Sequence, residues 1–407
     1  MHKAMSCLIC AVNRRAESAL QFPDPMLSTS TRWVVGATLT MAGALGVGRF
    51  VYTPLLPQMA EAFDWSFAQA GDVASANFFG YLVGAVLAPH VAYSKYVRLL
   101  VALSLMASAG TTYLGAEVTS FAGWLVIRFA GGIASALCLV VLTTHLLELL
   151  AREKAVHLGN IHFAGVGLGI MLCMGGVYLG GDVSTQWARQ GGLAAGFMAI
   201  AWLALANGPW IPAHHNQSTV DTTQQERSLL WPLIVGYGFF GFGYVVSATF
   251  IVAMAAVVPE LEDPKIVWLV VGAATVPSVY FWQWLAQRHG LMPILILSYL
   301  TLGLGTFLAG SADSVVLLML AAIALGGTFG GITALGLSAG RVVAPHQTAL
   351  AVSRMTVAFS LGQLLGPAFA GRMADSLGGF FWPSVLCTVL LAVSALLTFK
   401  SGLRQAQ

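Results

Sequence analysis

The chain has 407 residues, of which 57% are hydrophobic and only 9% charged, and its formal net charge is +3. An average soluble chain carries roughly 25% charged residues, so this composition excludes an ordinary water-soluble protein and fits one that needs charge only in its loops. The small net charge leaves no footprint for nucleic acid, which is not expected as a partner.

At the amino end, a short apolar run precedes Arg14 and Arg15. A signal peptide has the opposite order, so residues 1–32 are expected to be a cytoplasmic tail, with Met26 as a possible later start. Cys7 and Cys10 form an isolated C-x-x-C with no second pair or strand–helix context. Cys138, Cys173 and Cys387 lie in apolar runs, where a thiol behaves as a small hydrophobe. Neither a metal nor a cofactor is expected.

A bilayer core about 30 Å thick takes about 20 apolar residues. That ruler predicts spans at 33–56, 67–89, 97–116, 121–147, 156–180 and 191–211. After the polar stretch AHHNQSTVDTTQQERS (213–228) it predicts six more, at 229–257, 265–286, 292–310, 314–339, 348–370 and 381–400. The expected fold is therefore all-α, with twelve transmembrane helices in two six-helix bundles (33–212 and 229–400), a cytoplasmic linker (213–228) and a short tail (401–407).

The two halves repeat. Gly46-Val-Gly48 in the first span answers Gly241-Phe-Gly243 in the seventh, 195 positions on. Gly131-Gly132-Ile133 answers Gly330-Gly331-Ile332, and Gly165 in the fifth span answers Gly362 in the eleventh. Small residues let helices approach closely in lipid, so Gly80-x-x-x-Gly84, Gly165-x-x-x-Gly169 and Gly362-x-x-x-Gly366 are read either as static packing sites or as smooth faces on which one bundle rocks past the other. Thirteen of the 19 Lys and Arg residues fall on one side if the amino terminus is inside, and only Arg189, Lys265 and Arg372 on the other. Positive charge marks the cytoplasmic side, so both termini are expected there, in a bacterial inner membrane.

The stretches GVGRFVYTPLLPQM, AGDVASANFFGYLVGA (70–85), FAGVGLGIML (163–172) and GQLLGPAFAGRMADSLG (362–378) are similar to those of the major facilitator superfamily, and in particular its YbfB/YjiJ-type branch. The resemblance runs from about residue 33 to 400. It implies two six-helix bundles around a central cavity that opens to each side in turn. Arg128-Phe-Ala-Gly-Gly fits the superfamily's arginine–glycine pattern in span four. The loop after span two departs from its pattern, reading PHVAYSKYVR with no aspartate.

An ionised group within a bilayer is costly and is a functional candidate by default. Arg49, Arg128 and Arg354 are the cations within spans, and Asp72 the anion. Arg49 and Asp72 lie at similar depths, about 10 and 7 Å from one face, so they are expected either to pair or to share a substrate. His162 and Asp72 are the candidates for moving a proton, and Tyr52, Asn77, Tyr244 and Gln363 add polar groups that can line a cavity. The expected function is secondary transport of a small organic solute, anionic or zwitterionic, by a monomer, with protons as the candidate coupling ion. A membrane-embedded enzyme and a non-transporting receptor are the alternatives. The chain has no G-x-x-x-x-G-K-[ST] and no H-E-x-x-H, and no catalytic residue is assigned.

Overall fold

The computed structural model describes residues 28–210 and 224–405. The amino-terminal tail with its Cys7–Cys10 pair, and most of the expected linker, lie outside the described residues. The first span is broken. It comprises α1 (Thr29–Met41), a π-helical segment (Ala42–Val47) and α2 (Tyr52–Phe63). Ser28 caps α1 by accepting from the Thr31 amide at 3.2 Å.

The rest of the first half is α3 (Phe67–Ala92), α4 (Val97–Leu114), α5 (Phe121–Arg152), α6 (Ala164–Tyr178) and α7 (Val183–Leu205). The second half is α8 (Gln224–Ala255), α9 (Ile266–His289), α10 (Leu291–Ser311), α11 (Val315–Val343), α12 (Thr348–Leu377) and α13 (Phe381–Gln405). Twelve crossings result, and ten of the described helical segments are long and apolar enough to span a membrane. The two that fall short are α7, which carries Gln186, Arg189 and Gln190, and α12, which carries Arg354, Gln363, Arg372 and Asp375.

The sixth span begins eight residues before the predicted 191, at Val183. Gln186, Arg189 and Gln190 interrupt the apolar run, yet none of them leaves the helix. Gln186 donates to Gln58 at 2.6 Å, Arg189 to the carbonyls of Gly176 and Gly180 at 2.6 and 2.9 Å, and Gln190 to Cys173 O at 2.9 Å. A hydropathy ruler scores such residues as loop because it cannot see their partners. Two polar-looking segments are helical as well: α8 begins at Gln224, inside the expected linker, and α13 runs through to Gln405.

The helices pack in the same pattern in the two halves. Spans one and six, one and five, two and four, three and six, and three and four are in contact, and each pairing recurs six spans later. The glycine repeat is part of this symmetry. A Cβ on Gly165 would strike the Thr38 carbonyl, and one on Gly362 would strike the Gly238 carbonyl. Both helices thus lie backbone against backbone, held by dispersion contacts that any side chain would break. Twelve crossings bring both ends of the described chain to one face, the termini face, where Ser30 donates to Glu153 and Ser401 to Leu229 O (3.0 Å).

Between the halves, α3 packs on α12, α6 on α9, and α2 on α8. These contacts gather toward the face opposite the termini, the far face. One polar tie lies nearer the termini, where Asn160 donates to Gln283 at 2.6 Å.

Candidate functional site

The break in the first span builds the site. Gly48 N and Phe50 N bond five residues back, to Gly43 O (2.8 Å) and Leu45 O (3.0 Å), and Thr53 N turns to Phe50 O. The Arg49 carbonyl therefore loses its usual helical donor, which in a dry interior would cost as much as a lost hydrogen bond. Arg128 from α5 replaces it. Its two terminal nitrogens donate to Gly48 O and Arg49 O, both at 3.0 Å. Its own carbonyl accepts from Asn77 Nδ2 at 2.9 Å. Spans one, two and four are thus tied through one arginine, whose planar guanidinium fork suits two neighbouring carbonyls of span one and whose backbone carbonyl holds span two.

Arg49 is a second buried cation, with no ion pair among the described residues. It is 5% exposed and lies over Phe78 (4.4 Å to the ring centre) and Tyr81 (4.3 Å), both on α3. Cation–π contacts of this kind stabilise a desolvated cation by about 0.5–2 kcal/mol each. Among the described residues its Nε and Nη2 donors have no hydrogen-bond partner. Unpartnered buried donors are rare enough to need a reason. Here they adjoin a cavity of about 10 Å³, the room of one water, lined by Arg49, Tyr52, Thr53, Phe78 and Arg128 from the first bundle and Ala248 and Thr249 from the second.

The second bundle offers an aromatic wall to this point. Tyr244 stacks between Phe329 and Phe359, 5.6 Å from each and nearly parallel to both. Its hydroxyl receives Gln363 Nε2 and lies within electrostatic reach of Arg49. Phe50, beside Arg49, meets Trp268 (6.0 Å) and Phe329 (6.2 Å). The result is two buried cations at the seam of two bundles, Arg128 bonded to backbone carbonyls and Arg49 faced by aromatic rings and amide and hydroxyl groups.

A family model described as "Uncharacterised MFS-type transporter YbfB" matches residues 41–399. The chain belongs to the major facilitator superfamily. The fold agrees with solved members. A variant of the nucleoside transporter NupG superposes with a TM-score of 0.71 at 15% identity, over 93% of this chain and 100% of that one. A bacterial homolog to the human lysosomal transporter Spinster, in an inward-facing and unoccupied conformation, gives 0.68 at 15% identity, over 93% and 98% of the two chains. A search of curated protein sequences returned no match. Family and fold are those of transporters.

Within this facilitator the predicted site residues divide. Arg49, Tyr52 and Arg128 line one cavity, whereas Tyr244 and Gln363, bonded to each other, belong to the aromatic wall that reaches it through Phe329 and Phe50. Tyr52 is also tied by its hydroxyl to Ala70 O at 2.8 Å. Asn77 serves as helix glue on Arg128 O. The Arg49–Asp72 pair is not formed. Asp72 instead takes Arg372 from the other bundle, at 2.7 and 2.9 Å. Depth matched, but α3 turns Asp72 toward α12 rather than toward α2. His162 is buried with both ring nitrogens engaged, by Thr143 Oγ1 (3.0 Å) and Gly159 O (2.8 Å). It packs α6 against α5 away from the cavity.

Arg372 and Asp375 were missed. They lie beyond the predicted end of the eleventh span at 370, where a charge reads as loop. Their three-residue spacing on one helical face was the available signal. One further stretch, Gly336-Leu-Ser338-Ala-Gly340, has the spacing of a hydrolase nucleophile elbow, which requires a strand–turn–helix setting. It lies inside continuous α11, with Ser338 donating back to Ala334 O at 2.9 Å.

Proposed function

We propose that this protein is a secondary carrier that moves a small organic anion or zwitterion by rocking its bundles, 33–211 and 229–400, about the Arg49 seam. The observation that carries the reading is the buried Arg49 guanidinium, with no carboxylate partner among the described residues and two idle donors next to the inter-bundle cavity. A carboxylate or phosphate would supply the missing charge and accept both donors as a fork. In this reading the small size of the cavity belongs to a closed arrangement, and separating the bundles makes room for cargo. The positive-inside pattern supports cytoplasmic termini in a bacterial inner membrane.

For proton coupling the candidate is Asp72. Its ion pair bridges the bundles, so neutralising it changes how they associate, whereas His162 is fully engaged within the first bundle. The test is thermal stability in detergent against organic anions, zwitterions, cations and apolar compounds, for wild type, Arg49→Lys and Arg49→Gln. Ligands that bind the folded form raise its stability by mass action. Anions should stabilise wild type, Arg49→Lys weakly, and Arg49→Gln not at all. Stabilisation by cations or apolar compounds alone overturns the reading.

A further inference from the structure

Phe50 follows Arg49 at the break in the first span, is 6% exposed and lines the inter-bundle cavity. Its ring belongs to the first bundle but touches two rings of the second. Trp268 of α9 lies at 6.0 Å, tilted by 56°, and Phe329 of α11 at 6.2 Å, edge-on at 62°. Both spacings fall in the range of favourable aromatic pairs, about 4.5–7 Å. Phe329 is backed in turn by Tyr244, stacked on it at 5.6 Å. Phe50 therefore fills an aromatic slot that the other bundle supplies.

The slot is bordered by buried donors that have no partner among the described residues. Arg49 Nε and Nη2 form one edge of the guanidinium, the kind of edge that takes both oxygens of a carboxylate. Trp268 Nε1, on a residue 1% exposed, is also unpartnered. Such donors need a reason, and one molecule supplies it: a carboxylate for the arginine, and a flat ring in Phe50's place with an acceptor for the indole.

Distance favours a short link between the two. The Arg49 guanidinium carbon lies 5.8 Å from the Phe50 ring centre. A carboxylate joined directly to a ring, forked at about 2.8 Å, puts the ring centre about 7 Å from that carbon. A long aliphatic spacer would carry the ring past the slot. A polyol would fit poorly, because Tyr52 and Thr53 spend their hydroxyls on the Ala70 and Ala248 carbonyls.

We infer that the cargo is a small aromatic monocarboxylate, and that Phe50 holds the cargo's ring position in the closed arrangement. The inference rests on the Arg49 reading and adds the ring to it. When the bundles separate, Phe50 leaves with the first, and the Trp268–Phe329 slot opens beside Arg49. Cargo then exchanges one ring for another, which limits the apolar surface left in water.

The test is isothermal titration of the detergent-solubilised full chain with benzoate, cyclohexanecarboxylate and acetate, monoanions that differ only behind the carboxylate. Wild type should bind benzoate about fivefold more tightly than cyclohexanecarboxylate, because a flat ring makes both aromatic pairs. Phe50→Ala, or Phe50→Leu where the first fails to fold, should raise benzoate affinity about fivefold and leave acetate unchanged. Phe329→Leu removes one wall and should abolish the preference for benzoate. A purely structural Phe50 would change stability without changing the benzoate-to-acetate ratio. If wild type binds benzoate no more tightly than cyclohexanecarboxylate, the slot is refuted, while the anion site at Arg49 stands. A benzoate gain confined to Phe50→Ala, with no preference in wild type, is the filling of an artificial cavity and refutes the slot equally. If folded wild type binds none of the three, the Arg49 reading falls and the slot with it.

Discussion

Arg128 gives the sharpest structural prediction. Its guanidinium holds the Gly48 and Arg49 carbonyls at 3.0 Å each, where the first span leaves helical geometry. Arg128→Ala removes both donors and leaves two buried acceptors unpaired. At about 1–3 kcal/mol for each unsatisfied group, the loss is about 2–6 kcal/mol. Arg128→Lys should recover less than half, because one ammonium cannot fork two carbonyls as a planar guanidinium does. The assay is unfolding in mixed detergent micelles followed by tryptophan fluorescence, with Trp187 close by as reporter (5.9 Å). An Arg128→Ala midpoint equal to that of wild type would refute the argument that Arg128 is the cap of the broken helix.

Gly165→Leu and Gly362→Leu should destabilise to a similar degree, by about 1–3 kcal/mol or more, because both drive a side chain into the facing backbone. Gly192→Ala, with nothing within 4 Å of its Cβ position, should unfold like wild type in the same assay. Asp182 caps α7 by accepting from the Thr185 amide at 2.8 Å, and Thr185 holds its carboxyl below the ordinary value of 3.8. A depressed folded-state value means that its contribution stands at neutral pH and is lost as pH falls through that value. Hydrogen exchange at Thr185 should therefore be faster in Asp182→Ala than in wild type, and the difference should close only below the ordinary carboxylate range.

Most of the fold was legible because a bilayer demands length and apolarity, and both can be counted. Eleven predicted spans overlie the observed helices closely, and the sixth was displaced because Gln186, Arg189 and Gln190 stay in the helix by bonding groups on the neighbouring α2 and α6. The glycine repeat was visible as an offset, but its meaning came from the facing carbonyls of Thr38 and Gly238. The site was legible in part. Arg49 and Arg128 stood out as charges within apolar runs, yet nothing in the residues told them apart. One caps a broken helix and the other is idle, a division fixed by the π-helical segment, which leaves no clear mark in composition. Asp72 was seen without its partner because depth along a helix does not give the direction in which a side chain points.

The account rests on Arg49 as an anion site, and charge movement tests it most directly. Proteoliposomes on a solid-supported membrane would be exposed to the anion that most stabilises the detergent-solubilised protein. Wild type should give a transient current that saturates with concentration, and folded Arg49→Gln should give none. An unchanged current in Arg49→Gln would contradict the central claim and return Arg49 to the role of a packed, aromatic-shielded structural cation.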